Sequence, residues 1–444
     1  MKKFIQTLKN IWSIEELRKK ILFTLLLVFI YRVGSFIVLP GIDPNKLSTL
    51  ENNTKSGMLG LLDAFVGGAF HKASIFALGI MPYISASIFM QLMTILVPQM
   101  QKIQKEGESG RKKINQWTRY LTVLVTAAQA AAYIGYLRSQ GNADALIQSY
   151  TAFFNVSTVI ILTVGTLFVM WLGEKITDKG LGNGTSIIIM MGILARLPEA
   201  FMQEWSARIT KGGGGLLIFL IEIAFLVAII MGLVMLIQGT RRVPVNYAKQ
   251  IVGNRQFGGA RNFLPLKVNA AGVMPIIFAQ AILFLPTIFS GFTGGGWAKY
   301  FTDHTNAVYM IVYSVCVIAF TFLYTALIFN PKQMAEDLKR NNGFIPGVKP
   351  GQPTADYIGT IMDRITLPGA VLLAFVGILP GIFQLIFKTQ QSFSTFYGGT
   401  SLLIMVGVIL DTLQQIETQL LMRQYDGLMS SGRVQGRQTV TSGM

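Results

Sequence analysis

Long apolar runs alternate with polar segments along this chain, and each run predicts one helix. About 20 apolar residues are needed to cross the hydrocarbon of a membrane, and all runs but one meet that length comfortably. The weak one lies at 184–203, where Arg196 and Pro198 interrupt it. The first run lacks a small-x-small cleavage site, so we expect it to remain as a helix. The ten runs are centred in residues 21–39, 74–97, 118–137, 153–172, 184–203, 216–238, 271–292, 307–329, 367–388 and 398–422.

A six-residue phrase occurs in two of these runs, 193 positions apart. Gly79–Ile84 (GIMPYI) returns as Gly272–Ile277 (GVMPII). Each copy places a glycine and a proline inside a predicted helix, which packed membrane helices tolerate better than helices in water. Paired Gly/Pro-interrupted segments in corresponding places of two halves indicate a transport path at a repeat interface. Chance is the alternative, because G-x-x-P is common in membrane helices.

Lysine and arginine are concentrated on one side of the predicted membrane. Ten spans put both termini on the same side, whose segments hold 28 of the 38 basic residues, against 9 in the opposite loops. The positive-inside rule therefore predicts cytoplasmic termini. Five spans fall in each half, 1–204 and 205–444, and an odd number gives the halves opposite topology, an inverted repeat. Gly212–Gly215 is the expected hinge between them, or simply a flexible outer loop.

Composition agrees with a membrane protein and offers little for catalysis. Hydrophobic residues make up 52% of the chain, 13% are charged, and the mean hydropathy is +0.51. Cys316 is the single cysteine, and His71 and His304 fall in predicted outer loops without ligand-spaced neighbours. We therefore expect no metal site, no cofactor and no catalytic residue. No G-x-x-x-x-G-K-[ST] loop for ATP is present, so a partner or a gradient must drive transport.

Charges inside the predicted spans separate a channel from an ion-coupled carrier. Arg32, Glu222, Asp411 and Glu417 are the candidates, and intramembrane charges suggest function by default. Arg32 and Glu417 lie near span ends, where long side chains reach water at low cost. A carrier coupled to protons or sodium usually needs several carboxylates near the midplane. Their absence favours a channel over a carrier, with a membrane insertase as the third alternative.

Three cytoplasmic segments are unusually long and rich in turns. Residues 98–117 contain EGESGRKK, 239–270 contain two adjacent arginines, and 330–358 contain a Pro-Gly-rich turn. Loops of this length without a purpose are uncommon, which favours a docking platform over solvated connectors. The net charge of +17 is mainly a topology signal, and it also suits binding to anionic membrane lipids or to the RNA of a docked ribosome.

Several strings spread along the chain together resemble the SecY family of protein-conducting channel subunits, over residues 14–430. They are Ala73–Leu92, Glu106–Lys113, Met170–Glu174, Val245–Lys249, Leu264–Asn269, Tyr324–Pro331 and Tyr397–Ile404. The resemblance implies an all-α polytopic membrane protein with ten transmembrane helices, in two inverted halves of five around a central hourglass pore. It also implies a passive channel in the cell (cytoplasmic or inner) membrane. Unfolded secretory polypeptides would cross it, and transmembrane segments would leave sideways into lipid.

The resemblance further implies a ring of apolar side chains that closes the pore at the membrane centre. A narrow apolar constriction excludes water and ions, yet aliphatic side chains can part around an extended polypeptide. Thr185 departs from the family pattern, because a hydroxyl that faces the constriction would weaken this effect. Without the resemblance, these residues are equally explained as lipid-facing or packing side chains. The ring positions are Ile80, Ile84, Thr185, Ile189, Ile277 and Ile404.

A plug and a lateral gate also follow from the resemblance. The plug is expected to be a short helix at 57–70 that caps the outer funnel, and a plain surface helix is the alternative. Its candidate residues are Leu61, Leu62, Asp63, Phe65, Gly67 and Gly68. The lateral gate is expected between spans two and seven, which carry the repeated phrase, with spans three and eight behind them. Its candidate residues are Pro82, Ser87, Gln91, Pro275 and Gln280, and the two glutamines either pair across the closed gate or make ordinary interhelical bonds.

On the cytoplasmic side, the family docks a motor ATPase (SecA) or a ribosome on the loops at about 239–270 and 330–366. Lys349 stands where the family usually has arginine, which keeps the charge but loses the bidentate fork. The candidate docking residues are Arg241, Arg242, Arg255, Lys339, Arg340 and Lys349. Other partners that the resemblance implies are SecE-like and SecG-like small subunits, signal sequences and preproteins, and accessory proteins of the SecDF and YidC types.

Overall fold

The computed structural model describes residues 12, 14–43, 63, 65–139, 151–210, 215–247, 250–252, 255–257, 261–280, 283, 305–394, 396 and 399–430. Most of these residues are helical. The helices are α1 (Glu15–Gly34), α2 (Met81–Leu96), α3 (Pro98–Lys105), α4 (Glu108–Ser139), α5 (Thr151–Lys179), α6 (Gly184–Trp205), α7 (Gly215–Gln238), α8 (Ala307–Ile328), α9 (Pro331–Arg340), α10 (Gln352–Phe387), α11 (Gln391–Ser394) and α12 (Gly399–Ser430). A π-helical turn, Ser206–Thr210, follows α6.

Six helices among the described residues are long and apolar enough to cross a membrane, or seven membrane-capable segments if α2 and α3, bent by 103°, are one span. The six, α5, α6, α7, α8, α10 and α12, coincide with predicted runs, which confirms a multi-pass membrane protein. α1 and α4 are helical where the first and third runs were predicted. Most of 281–304 lies outside the described residues, so the count of ten stays a prediction.

The repeated phrase begins helices instead of interrupting them. Gly79 and Gly272 have φ of +52° and +64°, a conformation that glycine adopts without a steric penalty. Pro82 lies in the first turn of α2, and Pro275 follows the first residue of the helical segment 274–280. Proline suits a first turn because its missing N–H has no helical partner there. The expectation is therefore wrong for the two glycines, which precede the helices, whereas both prolines are helical, and the two copies adopt the same local structure.

A small antiparallel sheet, which we call the cytoplasmic sheet after the predicted topology, links the loops 239–270 and 330–358. Its strands are β1 (Thr240–Tyr247), β4 (Arg261–Lys267) and β5 (Gly343–Phe344) in the order β4-β1-β5, and β2 (Gln250–Val252) pairs with β3 (Arg255–Phe257) in a separate hairpin. The register pairs Val243 with Leu264 and Tyr247 with Gly343. Val243 and Val245 are buried against Ile358 and Met362 at the start of α10. The all-α expectation omits this sheet, although V-x-V alternation in β1 is a strand signal.

The main apolar core draws on both halves of the chain. It contains Tyr31 of α1, Ile188 of α6, Leu233 of α7, Tyr313 of α8 and Leu403 of α12, each 2% exposed or less. A second core lies under the segment that leads into α2. It includes Leu39, Phe70, Tyr133 and Leu162. The two cores place the plug segment between α1, α4, α5 and α6.

A buried ionic cluster lies where the two halves join. Arg208, in the π-helical turn, donates to Glu204 Oε1 at 2.8 Å, to Glu222 Oε1 on α7 at 2.5 Å and to the carbonyl oxygen of Phe387 at 2.6 Å. Glu204 also accepts the backbone N–H of Gln390 at 2.8 Å. The three charged side chains are at most 8% exposed. Because buried charges must be paired, this Arg208 cluster (Glu204, Arg208, Glu222) fixes α6, α7 and the end of α10 to one another.

Candidate functional site

The predicted ring residues lie mostly in the main apolar core. Ile80, Ile189 and Ile404 are buried there, at 4%, 7% and 5% exposure, and Ile84 packs against the same cluster. In the second copy of the phrase it is Ile276, fully buried, that belongs to this core, whereas Ile277 is half-buried and is not among the residues of the cluster. Four of the expected positions thus share one continuous apolar cluster drawn from α2, α6 and α12.

Thr185 has a local role at the start of α6. Its hydroxyl donates to Asn183 Oδ1 at 2.7 Å, and Asn183 also accepts the backbone N–H groups of Thr185 and Ser186 as the helix cap. A Cβ built on Gly173 of α5 would lie 3.2 Å from the Thr185 methyl group. The hydroxyl therefore already has a hydrogen-bond partner, and the methyl group faces α5.

Of the expected plug segment, Asp63, Phe65 and Val66 are helical and a turn follows at 67–70, whereas Leu61 and Leu62 lie outside the described residues. Phe65 is 7% exposed and belongs to the main core. Gly67 and Gly68 have φ of +70° and +86°, and the N–H of Gly68 donates to the carbonyl oxygen of Asp63 at 2.9 Å. The two glycines let the backbone reverse direction directly beside the apolar cluster.

Asp63 is the most buried charged group of this segment, at 1% exposure. It accepts the backbone N–H of His71 at 3.1 Å, lies 2.8 Å from His71 Nδ1, and pairs with Arg196 Nη1 of α6 at 2.5 Å. Burial opposes its ionisation, but the hydrogen bonds from His71 and the charge of Arg196 outweigh it, so the pKa of Asp63 lies below its usual value. We call Asp63, His71 and Arg196 the Asp63 cluster.

Further side chains of the first half bind the plug backbone. Arg32 Nη1 donates to the carbonyl oxygen of Gly67 at 2.8 Å, and the Tyr31 hydroxyl donates to that of Val66 at 3.3 Å. The Tyr133 hydroxyl of α4 donates to the carbonyl oxygen of Phe70 at 2.7 Å. These helices therefore fix the segment through its backbone as well as through Asp63.

Sequence reasoning missed the partners of Asp63. The predictions were that Arg196 interrupts the run at 184–203, that Arg32 lies near the end of a span where its side chain contacts water, and that His71 lies in an outer loop. In the structure His71 is only 8% exposed and both arginines bind the plug segment, contacts that the sequence pattern did not predict. A usable signal existed, because an aspartate between apolar residues that becomes buried needs a cationic partner.

The expected gate residues lie on α2 and on 274–280. Gln91 accepts the Tyr324 hydroxyl of α8 at 3.0 Å and lies 3.5 Å from Ser87 Oγ. Gln280 donates to Thr400 of α12 at 3.0 Å. Each glutamine thus has its own partner, and α2 is bonded to α8 instead of to the helix of Gln280.

The expected docking residues lie in or next to the strands of the loops 239–270 and 330–366. Arg241 and Arg242 are exposed on β1, and Lys339 and Arg340 are exposed in the last turn of α9. Lys349 is exposed in the turn before α10, where its carbonyl oxygen accepts the Thr354 hydroxyl at 2.8 Å. Arg255 begins β3, but its side chain lies outside the described residues. The described side chains are exposed basic groups on the linked loops, and Arg241 and Arg242, as neighbours in one strand, point to opposite faces of the sheet.

Comparison with known proteins identifies the family of the chain. A family model described as SecY matches residues 74–413. The protein translocase subunit SecY of Mycobacterium bovis is 40% identical over 446 residues, which cover 96% of this chain and 99% of the relative.

Two solved structures have the same fold. One, described as showing that the plug domain of the SecY protein stabilises the closed state of the translocation channel and maintains a membrane seal, has a TM-score of 0.59 at 16% identity and covers 90% of this chain and 92% of its own. The other, Sec61 in a canine ribosome-channel complex, has a TM-score of 0.57 at 15% identity with the same coverage. The chain therefore belongs to the SecY family of protein translocase subunits.

Proposed function

We propose that this chain forms the pore of a channel that carries unfolded secretory polypeptides across the membrane. The apolar core that holds Ile80, Ile189 and Ile404, with Phe65 of the plug segment in the same core, carries the proposal. Isoleucines contributed by both halves exclude water while the halves are together, and they part around a chain when the halves separate. A partner that consumes ATP or GTP provides the drive.

The proposed topology is ten transmembrane helices in two inverted halves, 1–204 and 205–444, around an hourglass pore. The equal local structure of the repeated phrase at Gly79 and Gly272 supports two related halves. The excess of basic residues supports cytoplasmic termini in the cell membrane.

The proposed lateral gate lies between α2 and the helix that starts at 274–280. Both begin with a positive-φ glycine and a first-turn proline, so neither is anchored by a preceding helical turn. The bond between Gln91 and Tyr324 supports a seam that closes through a few polar contacts. Signal sequences and membrane segments would leave the pore there.

The proposed docking surface consists of the exposed basic side chains on and around the cytoplasmic sheet, with a SecA-type motor or a ribosome as its partner. The ribosome-bound state of the canine structure and the exposure of Arg241, Arg242 and Lys349 support it. SecE-like and SecG-like subunits complete the complex, and SecDF-type and YidC-type proteins assist it.

Planar-bilayer conductance of the complex with its small subunits tests the channel. We compare the unmodified chain with a variant that lacks residues 58–66 and with a control that lacks the equally long tail 436–444. A quiet unmodified complex and a leaky plug variant are expected. Silence of a folded plug variant, or transport of a small solute that saturates and needs an ion gradient, would instead favour an insertase or a carrier.

A cross-link tests the gate. Cysteines at Gln91 and Tyr324, in a Cys316→Ala background, are joined by a short bifunctional maleimide because the two side chains already touch. We expect that signal sequences do not enter the cross-linked complex, and that the same cysteine variant without the cross-linker transports normally. Unchanged transport through the joined complex contradicts the gate assignment.

A further inference from the structure

We propose that Arg196 is a positioning residue for the seal, which holds the plug segment closed by pairing with buried Asp63. This inference rests on the proposed channel function and names the contact that controls its resting state. The juxtaposition is direct, since Arg196 Nη1 lies 2.5 Å from Asp63 Oδ2 while the carboxylate is 1% and the guanidinium side chain 14% exposed.

Because Asp63 is buried, its pairing with Arg196 strongly affects whether the plug segment lies in its closed or its open position. A carboxylate removed from water is stable only if hydrogen bonds and an opposite charge replace its hydration. Asp63 has all of these partners when the segment lies against α6, from the His71 backbone, the His71 ring and Arg196. Moving the segment outward into water would restore hydration, so the balance between closed and open states depends on the quality of this pairing.

The same contacts fix which part of the molecule carries the plug. Four side chains from other elements of the described part bind the segment by hydrogen bond or ion pair, and all lie within residues 1–204: Tyr31 and Arg32 of α1, Tyr133 of α4 and Arg196 of α6. The Cα of Gly192 also approaches the Gly67 backbone so closely that a Cβ on Gly67 would lie 3.0 Å from it. The segment therefore moves with the first half, and its release requires that the Asp63 cluster break.

The rate at which a reagent labels a buried position of the plug segment measures how often the segment leaves its closed position. Ala69 is 0% exposed, so a cysteine there, in a Cys316→Ala background, is protected from a membrane-impermeant maleimide while the segment is closed. We compare Arg196→Gln with Glu199→Gln, a matched control one turn along α6, whose exposed carboxylate accepts from Gln203. Arg196→Gln is expected to raise the labelling rate and the resting conductance by about tenfold or more, because it leaves Asp63 buried without its cation.

Two more variants separate positioning from general damage. Arg196→Lys keeps the charge without the planar fork and should fall between the parent and Arg196→Gln. Asp63→Asn combined with Arg196→Gln should label no faster than Arg196→Gln alone, because the two changes remove one shared contact. If Arg196→Gln fails to assemble, Asp63→Asn replaces it.

The outcomes distinguish this proposal from the channel function itself. Equal labelling of the arginine and Glu199→Gln variants, while the 58–66 deletion leaks, overturns the role of Arg196 and leaves the plugged channel intact. Additive effects in the double variant overturn it too. A silent deletion variant overturns the proposed function instead.

Discussion

Replacing Gly192 with alanine should open the seal without touching any charge. A Cβ on Gly192 of α6 would lie 2.3 Å from the carbonyl oxygen of Phe65 and 3.2 Å from the amide nitrogen of Gly67. Both atoms belong to the plug backbone, which cannot rotate aside as a side chain can. The plug segment must therefore retreat by roughly 1 Å from α6, or α6 must bend.

The size of the effect follows from two opposing terms. Overpacking by one methyl group costs about 1–3 kcal/mol, and it acts only while the plug segment lies against α6. Alanine also stabilises α6 by about 1 kcal/mol through its higher helix propensity, but this gain is the same in the closed and the open state and does not change the ratio between them. A change of that size shifts the ratio of open to closed channels about 5- to 150-fold.

Resting conductance of the purified complex in a planar bilayer measures this ratio. Gly232→Ala is the matched control, since Gly232 lies in α7 and a Cβ there meets nothing within 4 Å. Thermal unfolding of both variants shows whether the complexes are equally folded. Equal resting conductance in the two variants would refute the packing of Gly192 against the plug segment.

Three further outcomes are expected. Arg208→Gln should lower the free energy of unfolding by about 3–5 kcal/mol, because it leaves two buried carboxylates without their cation. Lys112→Gln should change that free energy little, because Lys112 belongs to an exposed pair whose side chains are 74% and 83% exposed. Thermal unfolding of the two variants measures the difference. Tyr324→Phe should let weaker signal sequences through in a translocation assay, because Gln91 loses the hydroxyl that bonds α2 to α8, and an unchanged signal requirement contradicts this. The pKa of Asp63 is lowered in the folded chain, so the stabilisation of the closed plug by the ionised carboxylate is complete above the ordinary carboxyl pKa and is lost as pH falls through the lowered value. The resting leak should therefore rise when the outer solution is acidified. In the Asp63→Asn variant, which has no carboxylate to protonate, acidification should not raise the leak.

The membrane helices were the most predictable part of this molecule. An apolar run of 20 residues is unfavourable anywhere except in hydrocarbon or in a core, so α7 and α8 lie within a residue or so of their predicted runs. Hydropathy does not show where a helix continues into water. α10 begins at Gln352, well before the run at 367–388, because its first turns pack against the cytoplasmic sheet.

The polar contacts of the seal were not predictable from a single sequence. A charge in an apolar run shows that a partner is needed, but the partner of Arg196 is Asp63, far along the chain and across a turn that only tertiary packing defines. The same holds for Arg208 and Glu222. The helix starts at Gly79 and Gly272 were missed for another reason, since a positive φ leaves no trace in hydropathy.

The cytoplasmic sheet has a mechanical consequence. Because β5 from the second loop pairs with β1 from the first, a push on either loop displaces both. The sheet rests on the first turns of α10, a helix of 36 residues and about 54 Å that contains Pro368 and Pro380 in its interior. At the other end of α10, Arg208 donates a hydrogen bond to the carbonyl oxygen of Phe387, beside the junction of the halves. Under the proposed topology, force that a partner applies to the cytoplasmic sheet would therefore reach the junction of the halves through a single helix.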